Sequence, residues 1–517
     1  MGYRPGVTEP RVHREIERKL DVPARFRLPS LSGAGNGIGE VHRQPTLRLT
    51  AAYYDTADLR LARHRITLRR RTGGGDDGWH LKLPHADEAT RDEVQLPLRT
   101  RDAPPVELTT LVLGITRGAP LLAVATLRTE RRPSLVFDEH GRALAELTDD
   151  RVSVSIDGTA KSHFRELEVE AADGRTADDL QPVIAALVAA GAVESGFASK
   201  AVRALGPRAV EPPDVAAARS VHPREPAADA LQALITRHVS SFIASDLGVR
   251  RGLPDAVHQM RVSARRLRSA LKVFAPLMSA EWADALREEL AWVAGELGAS
   301  RDREVLETRL LAGLATMDDK SARSAEAVVR RELGAHEQQA TSQVDTAMCS
   351  ARYLALLDAL VEAARTPQFS PAAAAPAAEA LPPLMRATWK RLAREVRALH
   401  KHGHDDAWHS ARIRAKHARY AADALAPVFG KPARKLAGQL ARVTELLGTH
   451  QDAAIAADTA RTLAAAKGVG GRAGYALGQL HDAQRAEVQR VRGQFVKVWP
   501  KVANPRWRRW LRAGATP

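Results

Sequence analysis

A helix with an almost entirely cationic polar face occurs twice in this chain of 517 residues. The segment HQMRVSARRLRSALK, residues 258–272, recurs as HSARIRAKHARYAAD, residues 409–423. At about 100° per residue the repeated basic positions fall on one helical face, whereas Met260 and Leu267 lie on the opposite face. The repeat predicts a helical C-terminal part with two similar halves. The aligned pairs are His258 with His409, Arg261 with Arg412, Arg265 with Lys416, and Arg268 with Arg419.

The repeated basic positions of this helix have no acids between them in either copy. No Asp or Glu occurs between His258 and Lys272, or between His409 and Tyr420. A solvated face held by internal salt bridges is the alternative, but such a face needs acids at helical spacing. The pattern therefore favours a surface that binds a polyanion.

The composition agrees with an anionic partner. The chain has 77 Lys and Arg against 61 Asp and Glu, a formal charge of +16 and a pI near 10.3. Aromatic residues make up only 4%, and few of them are interleaved with the basic runs, so single-strand binding by base stacking is poorly supported. Cys349 is the only cysteine, and neither a signal core nor a run of 18 apolar residues occurs. These features predict a soluble cytoplasmic protein with no membrane partner.

Two proline-rich segments divide the chain. The first, PRAVEPPDVAAARSVHPREP, ends at Pro226, and the second, TPQFSPAAAAPAAEALPP, separates the copies of the basic helix. The predicted organisation is a first domain over residues 10–207, a linker over 208–226, and a helical domain over 227–512, with halves at 227–365 and 384–512 joined by a linker at 366–383.

The first domain alternates apolar and polar residues over about eight short segments. Examples are REIERKL, ITLRRRT, GWHLKLP and FRELEVEA, with Gly-rich turns such as GGGDDG between them. This period of two predicts antiparallel strands that form a closed barrel or a strongly bent sheet.

Charges on these strands occupy alternate positions and therefore share faces. Glu15, Glu17 and Lys19 share one face, as do Glu166, Glu168 and Glu170. A charged exterior would be an ordinary solvent face. A charged interior would gather carboxylates and cations in one cavity, as binding of a metal–polyphosphate requires. Parity alone leaves both arrangements open.

The motifs of the first domain resemble the CYTH domain, the triphosphate tunnel metalloenzymes. Glu15-x-Glu17-x-Lys19 matches the ExExK signature, and the other pieces follow in that family's order over residues 10–207. These pieces are YYDT (53–56), ITLRRR, WHLKLP, RDE (91–93), TER (129–131), Thr148-Asp149, ELEVE and Ser199-Lys200.

The resemblance implies an eight-stranded antiparallel barrel that hydrolyses triphosphates with Mg²⁺ or Mn²⁺. Glutamates would hold the metal, with Glu170 and Asp149 as further candidates, and basic residues would grip the phosphates. The implied metal ligands are Glu15, Glu17, Glu93, Glu166 and Glu168. The implied phosphate ligands are Lys19, Arg69, Arg71, Lys82, Arg91, Arg131 and Lys200.

The second domain resembles the CHAD domain, a helical module that binds inorganic polyphosphate. Its family fold is two four-helix bundles related by a pseudo-twofold axis. The residues implied to bind polyphosphate are His258, Arg261, Arg265, Arg268, Arg301, His409, Arg412, Lys416 and Arg419. The second half has THQD where the first has SRD, so Gln451 replaces Arg301.

Together these features predict a metal-dependent triphosphatase, with inorganic triphosphate preferred, attached to a polyphosphate-binding domain. Cyclisation is less favoured because no base-recognition pocket is evident. The alternatives are a non-catalytic polyphosphate scaffold, a thiamine triphosphatase, an adenylate cyclase and a nucleic-acid binder explained by net charge. Polyphosphate binding also predicts association with polyphosphate granules.

Two further segments are predicted to be structural. LHKHGHDDAWH, residues 399–409, is interpreted as a loop before the second basic helix rather than a metal site. NPRWRRWLR, residues 504–512, is interpreted as a last helix packed through Trp507 and Trp510.

Overall fold

The computed structural model describes residues 11–32, 37–85, 90–98, 103–317, 320–334 and 337–512. The side chains of residues 11–12, 299–302 and 337–341 lie outside this description. The chain forms two compact units whose boundary lies between Asp214 and Val215, inside the segment predicted as a linker. No helix among the described residues combines the length and apolarity needed to cross a membrane.

The first unit is a closed antiparallel barrel, which confirms the predicted fold. Eight strands pair in the order β1-β6-β5-β4-β3-β7-β8-β9, and β9 returns to β1. The short strands β2 and β10 add to β7 and β1. The strands are β1 (Arg11–Val22), β2 (Ile38–Arg43), β3 (Leu47–Asp55), β4 (Thr67–Thr72), β5 (Gly78–Pro84), β6 (Thr90–Pro97), β7 (Leu122–Asp138), β8 (Ala143–Ile156), β9 (Thr159–Ala171) and β10 (Val193–Glu194).

Short helices cover the barrel and pack into it. The outward apolar residues of β1, β8 and β9, among them Leu20 and Leu167, form a core with Val183 and Leu187. Each such buried side chain stabilises the fold by about 1.5–3 kcal/mol. The helices of this unit are α1 (Arg60–Arg63), α2 (Val106–Leu111), α3 (Leu113–Thr116), α4 (Gln181–Ala189) and α5 (Lys200–Leu205).

One part of the barrel interior is apolar. Ala201 of α5 packs there with Leu127 of β7 and with Val152 and Val154 of β8. Side chains alternate across a strand, so Leu127 lies on the same face of β7 as Arg131, and Val152 lies on the same face of β8 as Asp150. The interior therefore has an apolar region beside α5 and a charged region beyond it.

The second unit is helical, as predicted. Four helices form its second half: α13 (Ala377–Arg397), α14 (Asp405–Phe429), α15 (Lys431–Ala464) and α16 (Gly471–Val502). The described residues of the first half form seven helices: α6 (Ala227–Arg250), α7 (Ala256–Val273), α8 (Ala280–Glu296), α9 (Gly298–Leu314), α10 (Lys320–Gly334), α11 (Glu337–Cys349) and α12 (Ala351–Arg365).

The two halves share a core. Leu310 of α9 and Val329 of α10 pack with Ala460 of α15 and Leu477 of α16. The segment expected to link the halves at residues 366–383 is helical from Ala377 onward, with Pro382 and Pro383 inside α13. Both prolines lie in the second turn of α13, so each removes one backbone hydrogen bond that the helix would otherwise make.

Candidate functional site

The charged faces of the strands line the inside of the barrel. Glu15, Glu17 and Lys19 of β1 border a cavity of about 280 Å³, whereas Leu20 packs on the outside. The same cavity receives Arg69 from β4 and charged residues from five further strands and α5. Of the two arrangements that parity left open, the structure has the charged interior.

Closure of the barrel brings carboxylates of β1 and β9 together. The register places Glu17 opposite Glu170, and Lys19 opposite Glu168. Directly opposed side chains have Cβ atoms about 4.5–5.5 Å apart, so two glutamates in this relation repel unless a cation lies between or beside them. The pairing of β1 with β9 is therefore stable only if cations lie close to these glutamates.

Two lysines from the strands supply part of that charge. The ammonium of Lys19 pairs with Glu17 and lies 3.6 Å from Glu168. The ammonium of Lys82 pairs with Glu15 and lies 4.0 Å from Glu93. Both lysines belong to the set implied by the family resemblance.

A third lysine enters from a helix rather than a strand. The hydroxyl of Ser199 accepts a hydrogen bond from the amide of Val202 and so caps α5. This cap begins the helix at Lys200, whose Nζ lies 2.6 Å from Glu168, 2.8 Å from Glu166 and 3.0 Å from Asp150. The Ser-Lys motif thus combines a helix cap with a buried cation.

Arg131 is the most extensively paired arginine in the cavity. Its guanidinium donates two hydrogen bonds to Asp150, at 2.9 and 2.7 Å, and one of 2.9 Å to Glu168. Arg69 lies 3.7 Å from Glu93, and Arg91 donates to the backbone carbonyl of Ala198 at 2.8 Å. The described cavity lining carries seven acidic and seven basic side chains in all, so its charge is balanced.

This environment separates the protonation behaviour of the glutamates. Burial alone would raise the pKa of Glu17, but the ammonium groups of Lys19 and Lys82 lower it to about 2. Burial, reinforced by the charge of Glu15, raises the pKa of Glu170 to about 7. Glu170 has no ion-pair partner among the described residues. Near pH 7 Glu17 is therefore ionised, whereas Glu170 is protonated in about half of the molecules.

One family-based candidate is wrong by a single residue. Asp149 lies outside the cavity, where it accepts two 2.7 Å hydrogen bonds from Arg165. The next residue, Asp150, is fully buried and contacts Arg131 and Lys200. Alternation on β8 gives the reason, because Glu146 and Asp150 share a face that Asp149 does not.

Other interior residues were missed by the sequence analysis. His80 of β5 bonds Glu93 at 3.0 Å and the carbonyl of Asp76 at 3.0 Å, so it positions Glu93. Its parity with Lys82 could have indicated this. The Asp of the YYDT motif, Asp55, accepts three backbone N–H bonds from Thr56, Leu61 and Ala62 and fixes the turn around α1.

The donor set suits a hard divalent cation. Carboxylate oxygens are the ligands that Mg²⁺ and Mn²⁺ prefer, and Glu170 is a half-buried carboxylate that has no ion pair among the described residues. Within the described part of the chain, no group of three or more His, Cys, Asp or Glu is already gathered for a metal. Lys19, Lys82 and Lys200 instead occupy the spaces between the carboxylates.

A second cavity, of about 570 Å³, adjoins the first. Glu17, Lys19 and Arg91 border both cavities, so the two share a wall. The lining of the second is mixed, because Phe197 and Val210 join its charged residues. An apolar wall beside a charged cavity offers a place for a non-phosphate group.

The two copies of the basic helix converge on one cavity in the helical unit. This cavity, of about 330 Å³, lies between α7, α8 and α14. It contains cations from both copies together with Lys272, Arg287 and His417, which the sequence analysis did not single out, and no carboxylate. The predicted residues in its lining are Arg265, Arg268, Arg412 and Lys416.

The remaining predicted residues of the helical unit do not line this cavity. His258 and Arg261 are half-buried on α7, whereas Arg419 donates to the hydroxyl of Thr444 at 3.1 Å. His409 bonds Gln451, the residue that replaces Arg301 in the repeat, at 2.8 Å. The side chain of Arg301 lies outside the described residues.

The cations of this cavity repel one another. Burial, together with Arg412 and Arg265, lowers the pKa of Lys416 to about 8. Burial and the nearby Lys272 lower the pKa of His417 to about 4, so His417 is neutral at pH 7. Lys416 has no ion-pair partner among residues whose side chains are described. An anion would relieve this repulsion.

The histidine-rich segment is a loop over residues 399–404, as predicted, but α14 begins at Asp405, so residues 405–409 are helical instead. The guanidinium of Arg492, which is almost fully buried, donates to the carbonyls of Lys401 and Gly403 at 3.0 and 2.9 Å. The indole N–H of Trp408 donates to the carbonyl of His400 at 3.3 Å. These bonds to backbone carbonyls hold the loop against α14 and α16.

Comparison with known proteins agrees with both units. The CYTH domain family matches residues 13–188, and the CHAD domain family matches residues 233–461. The uncharacterized protein Rv2226 of Mycobacterium tuberculosis is 34% identical, over 94% of this chain and 96% of its own length.

Two solved structures are also similar. PptA from Streptomyces chartreusis is 30% identical, with a TM-score of 0.48 over 53% of this chain and 100% of its own. The CHAD domain from the plant Ricinus communis is 27% identical, with a TM-score of 0.40 over 52% of this chain and 94% of its own.

Proposed function

Because this chain belongs to the family of proteins that join a CYTH domain to a CHAD domain, we propose that its barrel hydrolyses a triphosphate with a divalent metal ion. Inorganic triphosphate is the proposed preferred substrate. The observation that carries the proposal is the barrel cavity, in which seven acidic and seven basic side chains face one another. Binding of a simple anion would have no use for the carboxylates.

Charge balance explains why metal and substrate belong together. A cavity with equal numbers of carboxylates and cations gains little from a polyanion alone, because carboxylates already pair with cations such as Lys19, Lys82 and Lys200. Lys19 and Lys200 are held by Glu17, Glu166 and Glu168. If a divalent ion satisfies these carboxylates, both lysines become available to phosphate oxygens.

The proposed metal ligands are the glutamates of the barrel. Glu170 joins the set because its carboxylate is half-buried, lies opposite Glu17 and has no ion pair among the described residues. When bound, Mg²⁺ or Mn²⁺ would orient the attacking water and neutralise charge on the phosphate oxygens. The others proposed as ligands are Glu15, Glu17, Glu93, Glu166 and Glu168.

The basic residues then hold the phosphates in place. The planar guanidinium of Arg131 donates to Asp150 of β8 and Glu168 of β9. Lys200 contributes an ammonium group from α5. Their positions are fixed by carboxylates before substrate binds, so little reorganisation is needed in the transition state. The chemistry is attack of water on the terminal phosphorus, with no covalent nucleophile. The other proposed phosphate ligands are Lys19, Arg69, Arg71, Lys82 and Arg91.

The cavity that contains Phe197 favours an organic triphosphate as a second candidate substrate. Its apolar wall gives a bare phosphate chain nothing to contact. We expect Phe197→Ala to leave hydrolysis of inorganic triphosphate within about twofold of wild type. If the enzyme hydrolyses an organic triphosphate, we expect Phe197→Ala to lower kcat/KM for that substrate about tenfold, the scale of losing one aromatic contact.

Phosphate release from inorganic triphosphate and from ATP, by wild type and Phe197→Ala, separates these substrates. Release from inorganic triphosphate alone supports the first candidate. Faster release from ATP that depends on Phe197 supports the second. No release from either compound contradicts the proposed activity.

We also propose that the helical unit binds inorganic polyphosphate in the cavity between α7 and α14. Cations from both copies of the repeat line it, without a carboxylate in the lining. The closely spaced negative charges of a phosphate chain fit several cations held side by side. This geometry supports one shared site rather than one site per half. Polyphosphate granules are the proposed cellular location of such binding.

Substitution of Lys416 tests the helical cavity. Lys416→Gln is expected to weaken binding of short-chain polyphosphate about tenfold, the scale of one charge-assisted contact. Lys467→Gln removes an exposed lysine of the same half and should change affinity less than twofold. Fluorescence anisotropy at fixed salt measures both. Equal effects of the two substitutions would contradict the assignment.

The pH dependence gives a second readout. With its pKa near 8, Lys416 is protonated below pH 8 and loses its charge as the pH rises past that value. Wild-type affinity should therefore fall between pH 7 and pH 9. The Lys416→Gln variant lacks this titration and should show a flatter profile.

A further inference from the structure

The helical unit has another basic cavity, whose lining is aromatic as well as cationic. It measures about 400 Å³ and lies between the first turns of α15 and the short 3-10 helix Pro505–Leu511. Two indole rings and four cations border it, and none of its lining residues is acidic. We name it the tryptophan cavity; its lining includes Lys431, Lys435, Arg506, Trp507, Arg509 and Trp510.

The two indoles are fixed before any ligand binds. The N–H of Trp507 donates to the carbonyl of Lys501 at 3.0 Å, and the N–H of Trp510 donates to the carbonyl of Trp507 at 3.1 Å. Trp510 also packs against Phe429, with ring centroids 5.1 Å apart. Because both polar N–H groups are used, the rings offer only carbon surface to a ligand, and both rings remain partly exposed.

The cations around the indoles are available. Lys431, Lys435, Arg506 and Arg509 are exposed, and none has an ion-pair partner in the described part of the chain. The guanidinium of Arg506 stacks over the Trp507 ring, 4.1 Å from its centroid. This stacking orders Arg506 and leaves its donors free of carboxylates.

Physical chemistry separates the possible ligands. An inorganic phosphate chain would use the cations but gains nothing from two indole faces. Membrane insertion requires apolar side chains that protrude, whereas these rings line a concavity. Single-stranded nucleic acid supplies both parts, because its bases stack on aromatic rings and its phosphates meet lysine and arginine.

We propose that the tryptophan cavity binds single-stranded nucleic acid, with a base against the indoles and the flanking phosphates on the four cations. Backbone charge and stacking carry no sequence code, so the binding is not sequence-specific. This site is separate from the barrel and from the cavity between α7 and α14, and it does not depend on triphosphate hydrolysis.

Binding of a fluorescein-labelled oligoribonucleotide of about ten nucleotides, a typical site size, tests the proposal on the full chain. An abasic oligonucleotide of equal length serves as a competitor. Both strands carry the same number of phosphates, so a difference in their affinities measures the contribution of the bases. Wild type should prefer the base-containing strand. Trp507→Ala should weaken that strand about tenfold, the scale of one lost stacking contact, and remove the preference.

Matched variants separate stacking from misfolding and from charge. Trp507→Phe keeps an aromatic face and should retain most of the affinity. Lys435→Gln should weaken both strands, whereas Lys467→Gln, an exposed lysine elsewhere in the unit, should weaken neither.

Three outcomes would overturn the proposal. The first is equal binding of abasic and base-containing strands by wild type. The second is unchanged binding in Trp507→Ala. The third is a Trp507→Ala variant that keeps oligonucleotide binding but no longer sediments with phosphatidylserine vesicles, which would assign the cavity to a membrane surface.

Discussion

Glutamine in place of Glu17 is expected to lower kcat for metal-dependent hydrolysis of inorganic triphosphate by about 10²–10³-fold, the scale of losing one preorganised charge. With a pKa near 2, Glu17 carries its negative charge throughout the working range of pH. The glutamine side chain has the same size as glutamate, but it carries no charge and is a weak metal ligand. The metal concentration needed for half-maximal activity should rise together with the loss of kcat.

Glu130→Gln is the matched control for this substitution. Glu130 lies on the outer face of β7, next to inward-facing Arg131, and its side chain is 39% exposed. It pairs with exposed Arg132, so its loss should leave activity within about twofold and stability within about 0.5 kcal/mol. Similar losses in both variants would show that Glu17 acts through stability rather than through metal binding.

Methionine in place of Lys200 is expected to destabilise the barrel by about 3–5 kcal/mol, because buried carboxylates are left without their cation. Asp150 is fully buried, and Glu166 is nearly so. Hydrolysis should fall by about 10² or more, the scale of a lost charge donor. Hydrogen exchange of β8 and β9 amides, together with phosphate release, measures both effects.

The loss of stability in Lys200→Met should depend on pH in one direction. In wild type, burial alone would raise the pKa of Glu168, but Lys200 and Lys19 lower it well below its usual value. A carboxylate with a lowered pKa stabilises the fold above its unfolded pKa, and that contribution disappears as the pH falls through the folded value. The difference between wild type and variant should therefore be largest at neutral pH and shrink in acid.

Lys161→Met provides the comparison for Lys200→Met. Lys161 is exposed on β9, and its removal should be nearly neutral at every pH. If Lys200→Met and Lys161→Met have the same free energy of unfolding, Lys200 does not stabilise the buried carboxylates of Asp150, Glu166 and Glu168.

The strand pattern predicted which charges share a face but not on which side of the sheet they lie. Glu17 and Glu168 are separated by about 150 residues, and only the pairing of β1 with β9 places both inside. Apolar residues occur on both faces, because the outer core contains Leu167 and the interior contains Val152. Periodicity therefore cannot decide between the two sides, whereas the family resemblance could.

The same limit explains the mistaken candidate Asp149. Motif order placed a Thr-Asp pair near the site, yet alternation on β8 turns Asp149 outward to Arg165 and Asp150 inward. Counting parity from Glu146 would have selected Asp150 from sequence alone. A resemblance locates a motif, and strand geometry decides which of its residues enters the cavity.

In the helical unit, the repeat predicted two basic helices but not their meeting place. Arg268 and Lys416 face one cavity because α7 and α14 pack together. Arg287 belongs to α8 and has no counterpart in the repeat comparison, so no sequence signal identified it. Arg419 matches Arg268 in sequence but donates a hydrogen bond to Thr444 instead, so equivalent positions of the repeat do not make the same contacts.

Phosphate release from inorganic triphosphate by the full chain, with Mg²⁺ or Mn²⁺ and with a chelator, tests the proposed barrel activity most directly. We predict rapid release of orthophosphate with one or both metals and none with the chelator. Absence of release with either metal, while polyphosphate still binds tightly, would contradict hydrolysis. That result would leave the chain as a polyphosphate scaffold whose barrel binds without turnover.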